Sequence, residues 1–305
     1  MLKLFNNIKI KRRLTITAFS NYLKTHKAAL PFVYIRRKLR IYFNNRGDVV
    51  KLNIRKSFPI FYPSSRGKSS DLAKLTIESI NKTFPLIDLL LAGLDIDIPI
   101  ISVEEFSMRS NSYQPAMELQ VLFDQYGSDK ASLHNYHLIY GTVLSEKHKI
   151  QNILEVGIGT NNTGVPSNMG KLGKPGASLR AFRDFCVNAE IYGADIDKQI
   201  LFSEENITTF YIDQTDPKTF QQLKNNLPET FDLIIDDGLH APYANIATLN
   251  FGLKIIKKNG WIIIEDINPK SLSIWKVIFY LISENFEPFI IQTKSAFVFA
   301  AKRFN

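Results

Sequence analysis

The most informative hydrophobic pattern lies at residues 151–159, where a short apolar run ends in two glycines. The run at 153–156 is too short for a helix and is typical of a buried parallel strand. Gly157 and Gly159 follow it directly, and glycine at such a turn lets the backbone approach a ligand closely. The pattern therefore predicts a strand that leads into a ligand-binding turn.

Strand-like and helix-like patterns alternate after this turn. Such alternation predicts an α/β fold with a doubly wound, mostly parallel sheet, here of seven strands. One of the intervening helices should begin at Pro242 and end at Gly260. The later strands are predicted at 190–197, 208–213, 231–237 and 261–267, followed by an antiparallel hairpin of 289–293 and 296–302.

The first 110 residues differ in pattern, so we predict an N-terminal region at 1–110 and the α/β domain at 111–305. The elements expected in the first region are amphipathic helices within 1–30, a hairpin at 35–56, a helix from Asp71 to about Phe84 and an apolar core segment at 86–94.

Charge is divided unevenly along the chain. Residues 1–70 hold 17 lysines and arginines and one acidic residue, whereas the remainder holds 21 basic and 28 acidic residues. This basic arm therefore carries a net +16 and the rest a net −7, which places any polyanion contact on the arm. The arm has a functional and a structural interpretation, and both stay open. In the functional one it docks to an anionic membrane surface or orders the acceptor site; in the structural one it is a solvated, stabilising extension.

Cysteine content and the absence of long apolar runs indicate the cellular compartment. Cys186 is the single cysteine of 305 residues, which excludes an intramolecular disulfide and fits a reducing compartment. The basic start lacks the apolar core of a signal peptide, and no apolar stretch approaches the roughly 20 residues of a membrane span. We therefore expect a cytoplasmic protein with peripheral contact at the inner membrane face as an option, and leave monomer and homo-oligomer open.

Acidic residues end most of the predicted strands. In an open α/β sheet ligands bind outside the carboxyl ends of the strands, so these side chains should converge beside Gly157. The acids concerned are Asp195, Asp197, Asp213, Asp236, Asp237, Glu265 and Asp266.

Asp195 is placed to accept hydrogen bonds from ribose hydroxyls. It lies 38 residues after Gly157, whereas the dinucleotide pattern expects roughly 20, and the third glycine of that pattern is missing. S-adenosylmethionine (SAM), which has no pyrophosphate, suits such a site better than NAD.

Asp237, Glu265 and Asp266 lie at the ends of two strands predicted to be neighbours. Three such carboxylates repel one another unless a proton or cation neutralises them, and hard oxygen ligands fit Mg²⁺. His240 comes three residues after Asp237 and would reach the same pocket as a general base.

Several motifs taken together resemble the class I SAM-dependent methyltransferases, and more narrowly the branch of magnesium-dependent macrolide-sugar O-methyltransferases of the mycinamicin and tylosin type. They are Tyr126-Gly-Ser-Asp-Lys130 with His134 and Tyr136, Ile153-Leu-Glu-Val-Gly-Ile-Gly159, Gly176-Ala-Ser-Leu-Arg180, Ile191-Tyr-Gly-Ala-Asp-Ile-Asp197, Asp213-Gln-Thr-Asp216, Ile235-Asp-Asp-Gly-Leu-His240 and Ile264-Glu-Asp266. Leu239 and Ile212 depart from the branch, which has serine and glycine there.

The resemblance implies a role for each matching residue. In that branch the acid of the second strand holds the SAM ribose, an Asp and a Glu-Asp pair bind magnesium, and the histidine is the proposed base. The cofactor-binding residues expected here are Glu155, Gly157, Gly159, Asp195, Asp213 and Asp236; the metal ligands are Asp237, Glu265 and Asp266; and the catalytic base is His240.

The function predicted from the sequence is a SAM-dependent, Mg²⁺-dependent O-methyltransferase. Its acceptor would be a hydroxyl of a sugar or similar small polar metabolite in polysaccharide or natural-product biosynthesis. Two alternatives are a nucleic-acid methyltransferase that grips phosphates with the basic arm, and a SAM-binding module without catalysis. The acidic domain disfavours the former, so no firm nucleic-acid binding is predicted, and the intact carboxylates disfavour the latter.

Overall fold

The structure, a computed structural model, describes residues 47–110 and 112–305. The helices predicted within 1–30, and most of the basic arm, therefore lie outside the described residues. Contacts within the chain divide it into two compact units, with the boundary between Thr83 and Phe84.

The described part of the first unit is helical. Residues 47–57 form a helix, so the second strand of the hairpin predicted at 35–56 is wrong. Valine favours a strand only where a half-buried pleated surface packs against it. Val49 and Val50 are instead exposed, by 56% and 58%, and the rough alternation of apolar residues over 49–54 does not decide the local structure.

The helix predicted from Asp71 is present as Ser69–Gly93 (α1), and it runs well past its predicted end. Pro85 removes one backbone donor without ending it. Leu86 and Leu89 are exposed by 62% and 68%, so the apolar run at the end of α1 is not the core segment that we predicted. Within the described part of the chain, α1 and the other helices lack the length or the apolar character of a membrane span.

The second unit contains one nine-stranded sheet. Its strands, in chain order, are Ile100–Ser102 (β1), Asn152–Val156 (β2), Glu190–Asp195 (β3), Ser203–Glu204 (β4), Ile207–Tyr211 (β5), Phe231–Asp236 (β6), Ile256–Ile267 (β7), Phe286–Gln292 (β8) and Phe297–Arg303 (β9). Their order across the sheet is β1-β8-β9-β7-β6-β2-β3-β5-β4.

The predicted sheet is confirmed. All seven predicted strands are present, β2, β3, β5, β6 and β7 pair in parallel, and β8 and β9 form the expected antiparallel hairpin. The two short strands β1 and β4 extend the sheet at its edges, where β1 pairs with β8 and β4 with β5. The fold is therefore a doubly wound, mostly parallel α/β sheet.

Helices cover both faces of this sheet. They are Val103–Ser107 (α2), Tyr113–Tyr126 (α3), His137–Val143 (α4), Ala177–Phe185 (α5), Pro217–Lys224 (α6), Pro242–Ile255 (α7) and Leu272–Ile282 (α8). Consecutive residues of β2 belong to different apolar clusters, Ile153 to one and Leu154 to the other. Since side chains of a strand alternate between faces, both faces of β2 are buried, which explains its continuous apolar run.

The junction of α7 and β7 differs from the prediction. The helix ends at Ile255 rather than at Gly260, and β7 begins at Ile256, which pairs with Phe231 of β6. Gly260 lies within the strand, where a Cβ atom would come within 3.0 Å of the Asp232 carbonyl oxygen. This glycine therefore permits close packing and does not cap a helix.

The sheet fixes where a ligand would bind. The chain moves outward from β2 in one direction through β3 and β5, and in the other through β6 and β7. A crevice forms outside the carboxyl ends of the strands where the order reverses. The switch point lies between β2 and β6, which brings Gly157 beside Asp236 and Asp237.

Candidate functional site

A cavity of about 460 Å³ opens at the carboxyl ends of β2, β3, β6 and β7. Most of the residues predicted from the sequence line it, whereas Glu155 and Asp236 are fully buried and do not. The lining residues among those predicted are Gly157, Gly159, Asp195, Asp213, Asp237, His240, Glu265 and Asp266. Five of the seven acids that the sequence placed at one edge of the sheet therefore converge on the cavity, and Asp197 and Asp236 do not line it.

Both glycines of the first turn have a left-handed backbone, with φ of 90° at Gly157 and 79° at Gly159. A Cβ atom on Gly157 would lie 2.2 Å from the Asp237 carbonyl oxygen, and one on Gly159 would lie 1.6 Å from the sulfur of Met169. Glycine is thus required at both positions. It lets the turn after β6 and the loop that carries Met169 approach the turn after β2.

Asp195 ends β3 and joins two turns at the cavity. Its Oδ2 accepts a hydrogen bond from Ile158 N at 3.0 Å, and its Oδ1 accepts one from Asp197 N at 2.9 Å. Burial raises the pKa of Asp195 above its ordinary value, although these two backbone donors oppose the shift. The carboxylate is therefore held rigidly at the cavity wall.

Asp236 acts beneath the surface of the cavity. Its Oδ1 accepts a hydrogen bond from Gln214 Nε2 at 2.9 Å, and Gln214 Oε1 accepts one from Leu239 N at 2.8 Å. Asp236 thereby fixes Gln214 and the turn after β6. Asp213, which follows β5, lines the cavity and accepts hydrogen bonds from the backbone and hydroxyl of Thr215.

Lys130 is the residue that sequence reasoning missed. Its side chain is 3% exposed, and its Nζ lies 2.5 Å from Glu265 Oε2, 2.6 Å from Asp237 Oδ2 and 3.2 Å from Glu155 Oε1. Burial lowers the pKa of Lys130, but attraction to Asp237, Glu265 and Glu155 outweighs it and holds the pKa well above its ordinary value. Lys130 is therefore a buried ammonium at the floor of the cavity.

Two buried tyrosines orient the acids of β7. Tyr140 donates to Glu265 Oε1, and Tyr136 donates to Asp266 Oδ1 at 2.7 Å. Burial raises the pKa of both hydroxyls well above the ordinary value, so both remain protonated donors. Each tyrosine thus leaves one defined carboxylate oxygen for other partners.

Asp237, His240 and Asp266 form a candidate metal site, with one ligand atom from each within 4.8 Å of the others. His240 Nε2 lies 3.8 Å from Asp237 Oδ1 and 3.9 Å from Asp266 Oδ2. Two carboxylate oxygens suit Mg²⁺, and an imidazole nitrogen suits other divalent ions as well. The donor set therefore fits a divalent cation, and Glu265, the third predicted ligand, faces Lys130 and Tyr140 instead.

Backbone strain marks the same site. His240 and Asp266 have φ of 54° and 52°, in the left-handed region that non-glycine residues rarely adopt. Strained residues of this kind cluster at functional sites. In the sequence, Lys130 belongs to the motif Tyr126-Gly-Ser-Asp-Lys130, and that motif was the available signal for its importance.

Comparisons with known proteins identify relatives for part of the chain. No protein-family model matches it. The 8-demethyl-8-alpha-L-rhamnosyl tetracenomycin-C 2'-O-methyltransferase of Streptomyces olivaceus is 24% identical over 144 residues, which is 47% of this chain and 36% of that protein. Demethylmacrocin O-methyltransferase of Streptomyces fradiae is 33% identical over 92 residues, 30% of this chain and 23% of that protein. The chain thus spans little more than a third of the first relative and under a quarter of the second.

Solved structures give the same picture at the level of fold. The MycE methyltransferase from the mycinamycin biosynthetic pathway, in complex with Mg and SAH, has a TM-score of 0.52 at 22% identity and covers 62% of this chain and 55% of that chain. Its complex that also contains mycinamycin VI has a TM-score of 0.52 at 20% identity, over 62% and 54% of the two chains. The resemblance stated from the sequence motifs is thereby confirmed, and the chain has the fold of the MycE methyltransferase.

Proposed function

We propose that this chain is a SAM-dependent O-methyltransferase that uses Mg²⁺ to methylate a hydroxyl of a sugar or similar small polar metabolite. The observation that supports this function is one cavity that joins two chemically distinct sets of residues. Gly157, Gly159 and Asp195 belong to the first set, and Asp237 and Asp266 to the second. A methyl donor and an acceptor held in one cavity react with a large advantage in orientation.

The names of the relatives support the same substrate class. One is the 2'-O-methyltransferase of a rhamnosyl tetracenomycin, and the other is demethylmacrocin O-methyltransferase. MycE was solved with Mg, SAH and mycinamycin VI. We therefore propose a glycosylated small molecule or a related sugar as the acceptor.

On the donor side, Asp195 binds the ribose hydroxyls of SAM in this proposal. Each of its two oxygens accepts one hydrogen bond from a backbone donor and keeps a further lone pair, and the residue lines the cavity. Asp213 offers a second carboxylate at the neighbouring strand end. Glu155 and Asp236 are buried, so we do not expect them to contact SAM directly. Glu155 supports the floor of the cavity, and Asp236 supports the turn after β6.

On the acceptor side, Asp237 and Asp266 hold the divalent cation, and Tyr136 fixes the orientation of Asp266. When bound, SAM would supply the methyl group and leave as S-adenosylhomocysteine, and the cation would lower the pKa of the acceptor hydroxyl. In this proposal His240 is not a ligand of the cation, so Nε2, the ring nitrogen that faces the two carboxylates, keeps its lone pair and takes the hydroxyl proton. The orientation that these residues impose on the oxygen provides much of the rate.

The basic arm at residues 1–70 is proposed to contact the anionic inner face of the membrane while the methyltransferase domain stays in the cytoplasm. Its net charge of +16 supports an electrostatic contact of this kind. Sedimentation of the full chain with anionic and with neutral vesicles tests the idea. Equal sedimentation with both would remove it.

Methyl transfer from SAM to a panel of glycosides, in EDTA and after Mg²⁺ is restored, tests the proposed function. We expect EDTA to abolish transfer, Mg²⁺ to restore it, and calorimetric SAM affinity to remain in both conditions. Asp237→Ala should reproduce the effect of EDTA and should not respond to added Mg²⁺. Full transfer in excess EDTA would end the role of the cation, and transfer to RNA or DNA instead of a glycoside would replace the substrate class.

A further inference from the structure

The ammonium of Lys130 lies among carboxylates from three adjacent strands. Glu155 comes from β2, Asp237 from the end of β6 and Glu265 from β7, and all three lie within 3.2 Å of Lys130 Nζ. Glu155 and Glu265 are 0% and 1% exposed. A charge pair buried this deeply is stable only when each partner compensates the other, so the cluster depends on Lys130.

The contacts divide the carboxylate oxygens into an inner set and an outer set. Glu265 belongs wholly to the inner set, because Lys130 contacts one of its oxygens and Tyr140 the other. Asp237 is shared: Oδ2 contacts Lys130, and Oδ1 faces His240. Asp266 turns Oδ2 toward His240.

Strand geometry explains why the neighbours Glu265 and Asp266 separate in this way. Successive side chains of a strand point to opposite sides, so two adjacent acids do not reach one point without a change in the backbone. The pairing of β7 with β9 shifts between Ile264 and Ile267, and Asp266 has a φ of 52°. The irregularity turns Asp266 toward His240, while Glu265 remains directed at Lys130.

We propose that Lys130 is a permanent internal cation that occupies the inner half of the acidic cluster. The divalent cation, whose presence rests on the proposed function, is then confined to the outer half, where Asp237 and Asp266 hold it. Glu265 is a positioning residue and not a metal ligand. Lys130 withholds Asp237 Oδ2 and Glu265 Oε2 from the divalent cation by contacting both of them.

Mn²⁺ binding, followed by electron paramagnetic resonance on the full chain, tests this assignment. Supporting contacts are typically worth ~10–100-fold in metal affinity, and Glu265 lies a further contact away from the cation. Asp266→Asn should therefore weaken binding by about 100-fold or more, and Glu265→Gln by about tenfold or less. Equal losses for Glu265→Gln and Asp266→Asn would overturn the proposal.

Lys130→Met supplies a readout that a merely structural lysine would not change. Without the ammonium, oxygens of Glu265 and Asp237 become free and a repelling charge is gone, so Mn²⁺ should bind about tenfold more tightly or better. Glu265→Gln should then weaken binding strongly in the Lys130→Met background, although it has little effect in the wild type. Additive effects of the two substitutions would contradict the proposal.

Matched variants separate this result from unfolding and from failure of the proposed function. Lys174→Met removes an exposed lysine that lines the same cavity and should change Mn²⁺ affinity less than about threefold. The double variant Lys130→Met/Glu265→Gln loses one charge of each sign, so it should melt above Lys130→Met alone. If the wild-type chain binds no Mn²⁺, both the divalent cation of the proposed function and the ligand assignment are wrong. If Glu265→Gln weakens Mn²⁺ binding as much as Asp266→Asn does, only the ligand assignment is wrong.

Discussion

The carbonyl oxygen of Asp237 lies 2.2 Å from the position that a Cβ atom on Gly157 would occupy. The turn after β2 and the turn after β6 are therefore in direct backbone contact. In the proposed function, the first turn serves SAM and the second carries a ligand of the cation. The two binding sites thus share one wall, and a displacement of the backbone in either turn should affect both.

Gly157→Ala should damage stability and SAM binding together. An alanine there takes a left-handed backbone, which costs ~1–3 kcal/mol, and its Cβ also collides with Asp237. We expect the free energy of unfolding to fall by more than ~3 kcal/mol, measured by urea denaturation, and SAM affinity to fall in calorimetry.

Gly170→Ala is the matched control for this prediction. Gly170 has a similar φ of 69°, but nothing lies within 4 Å of its added Cβ atom. It should show only the backbone cost of ~1–2 kcal/mol. Equal losses in the two variants would show that the contact with Asp237 is unimportant.

Asp195→Ala should weaken SAM binding. Charge-assisted hydrogen bonds to the ribose contribute ~1.5–3 kcal/mol, which corresponds to roughly 10–150-fold in affinity. Calorimetric titration of SAM into the folded variant measures the loss.

Asp216→Ala is a control for general destabilisation. Asp216 caps α6 by accepting a hydrogen bond from Lys218 N, and it does not line the cavity. Its loss should cost ~1 kcal/mol of stability and leave SAM affinity unchanged. Unchanged affinity in Asp195→Ala as well would remove the ribose assignment.

His240→Asn should abolish most of the methyl transfer while the protein keeps its fold. Asparagine tolerates the left-handed φ of 54° at this position, so the substitution removes the proton acceptor without adding strain. We expect initial rates to fall by ~10²–10⁴-fold, the usual contribution of a positioned base.

SAM affinity and melting temperature serve as the controls for His240→Asn, and both should stay close to the wild-type values. His240→Ala adds backbone strain and should lose stability as well as rate. A near-normal rate in folded His240→Asn would leave the base unassigned.

Cys186 should resist thiol reagents in the native protein. Its side chain is fully buried, and burial raises the pKa of the thiol to about 12. Because the thiolate is the reactive species, labelling at pH 8 should require unfolding. Mass spectrometry before and after addition of denaturant measures this, and equally fast labelling of the native protein would contradict the burial.

The sheet was predictable because each central strand is a continuous apolar run bounded by turn residues. Parallel strands buried on both faces, such as β2 and β6, leave this pattern in the sequence. The convergence of the acids at their ends was predictable for a related reason, since the carboxyl ends of parallel strands share one edge of the sheet.

The errors arose where local patterns have more than one structural solution. Residues 49–54 alternate roughly like a strand, but they lie on a helix on which Val49 and Val50 are exposed. Gly260 resembles a helix cap, yet tertiary pairing of Ile256 with Phe231 begins the strand earlier. In both places the local structure depends on how the segment packs against distant parts of the chain. That packing is not visible in the neighbouring sequence.

The partner of Glu265 was the hardest feature to foresee. Lys130 precedes Glu265 by 135 residues and belongs to a polar segment with no strand or helix pattern. Sequence reasoning recognised that the carboxylates need a positive charge, but it supplied that charge with a metal ion alone. Only the folded chain brings the lysine to the same point.

A lysine cannot dissociate, whereas a metal ion can. Because Lys130 is part of the chain, the buried carboxylates of Glu155 and Glu265 acquire their counter-charge as the polypeptide folds. If the proposed function holds, cellular scarcity of divalent metal would stop methyl transfer without exposing these buried charges and without sending the protein to proteolysis. The supply of metal would control how active the existing molecules are, and not how many of them survive.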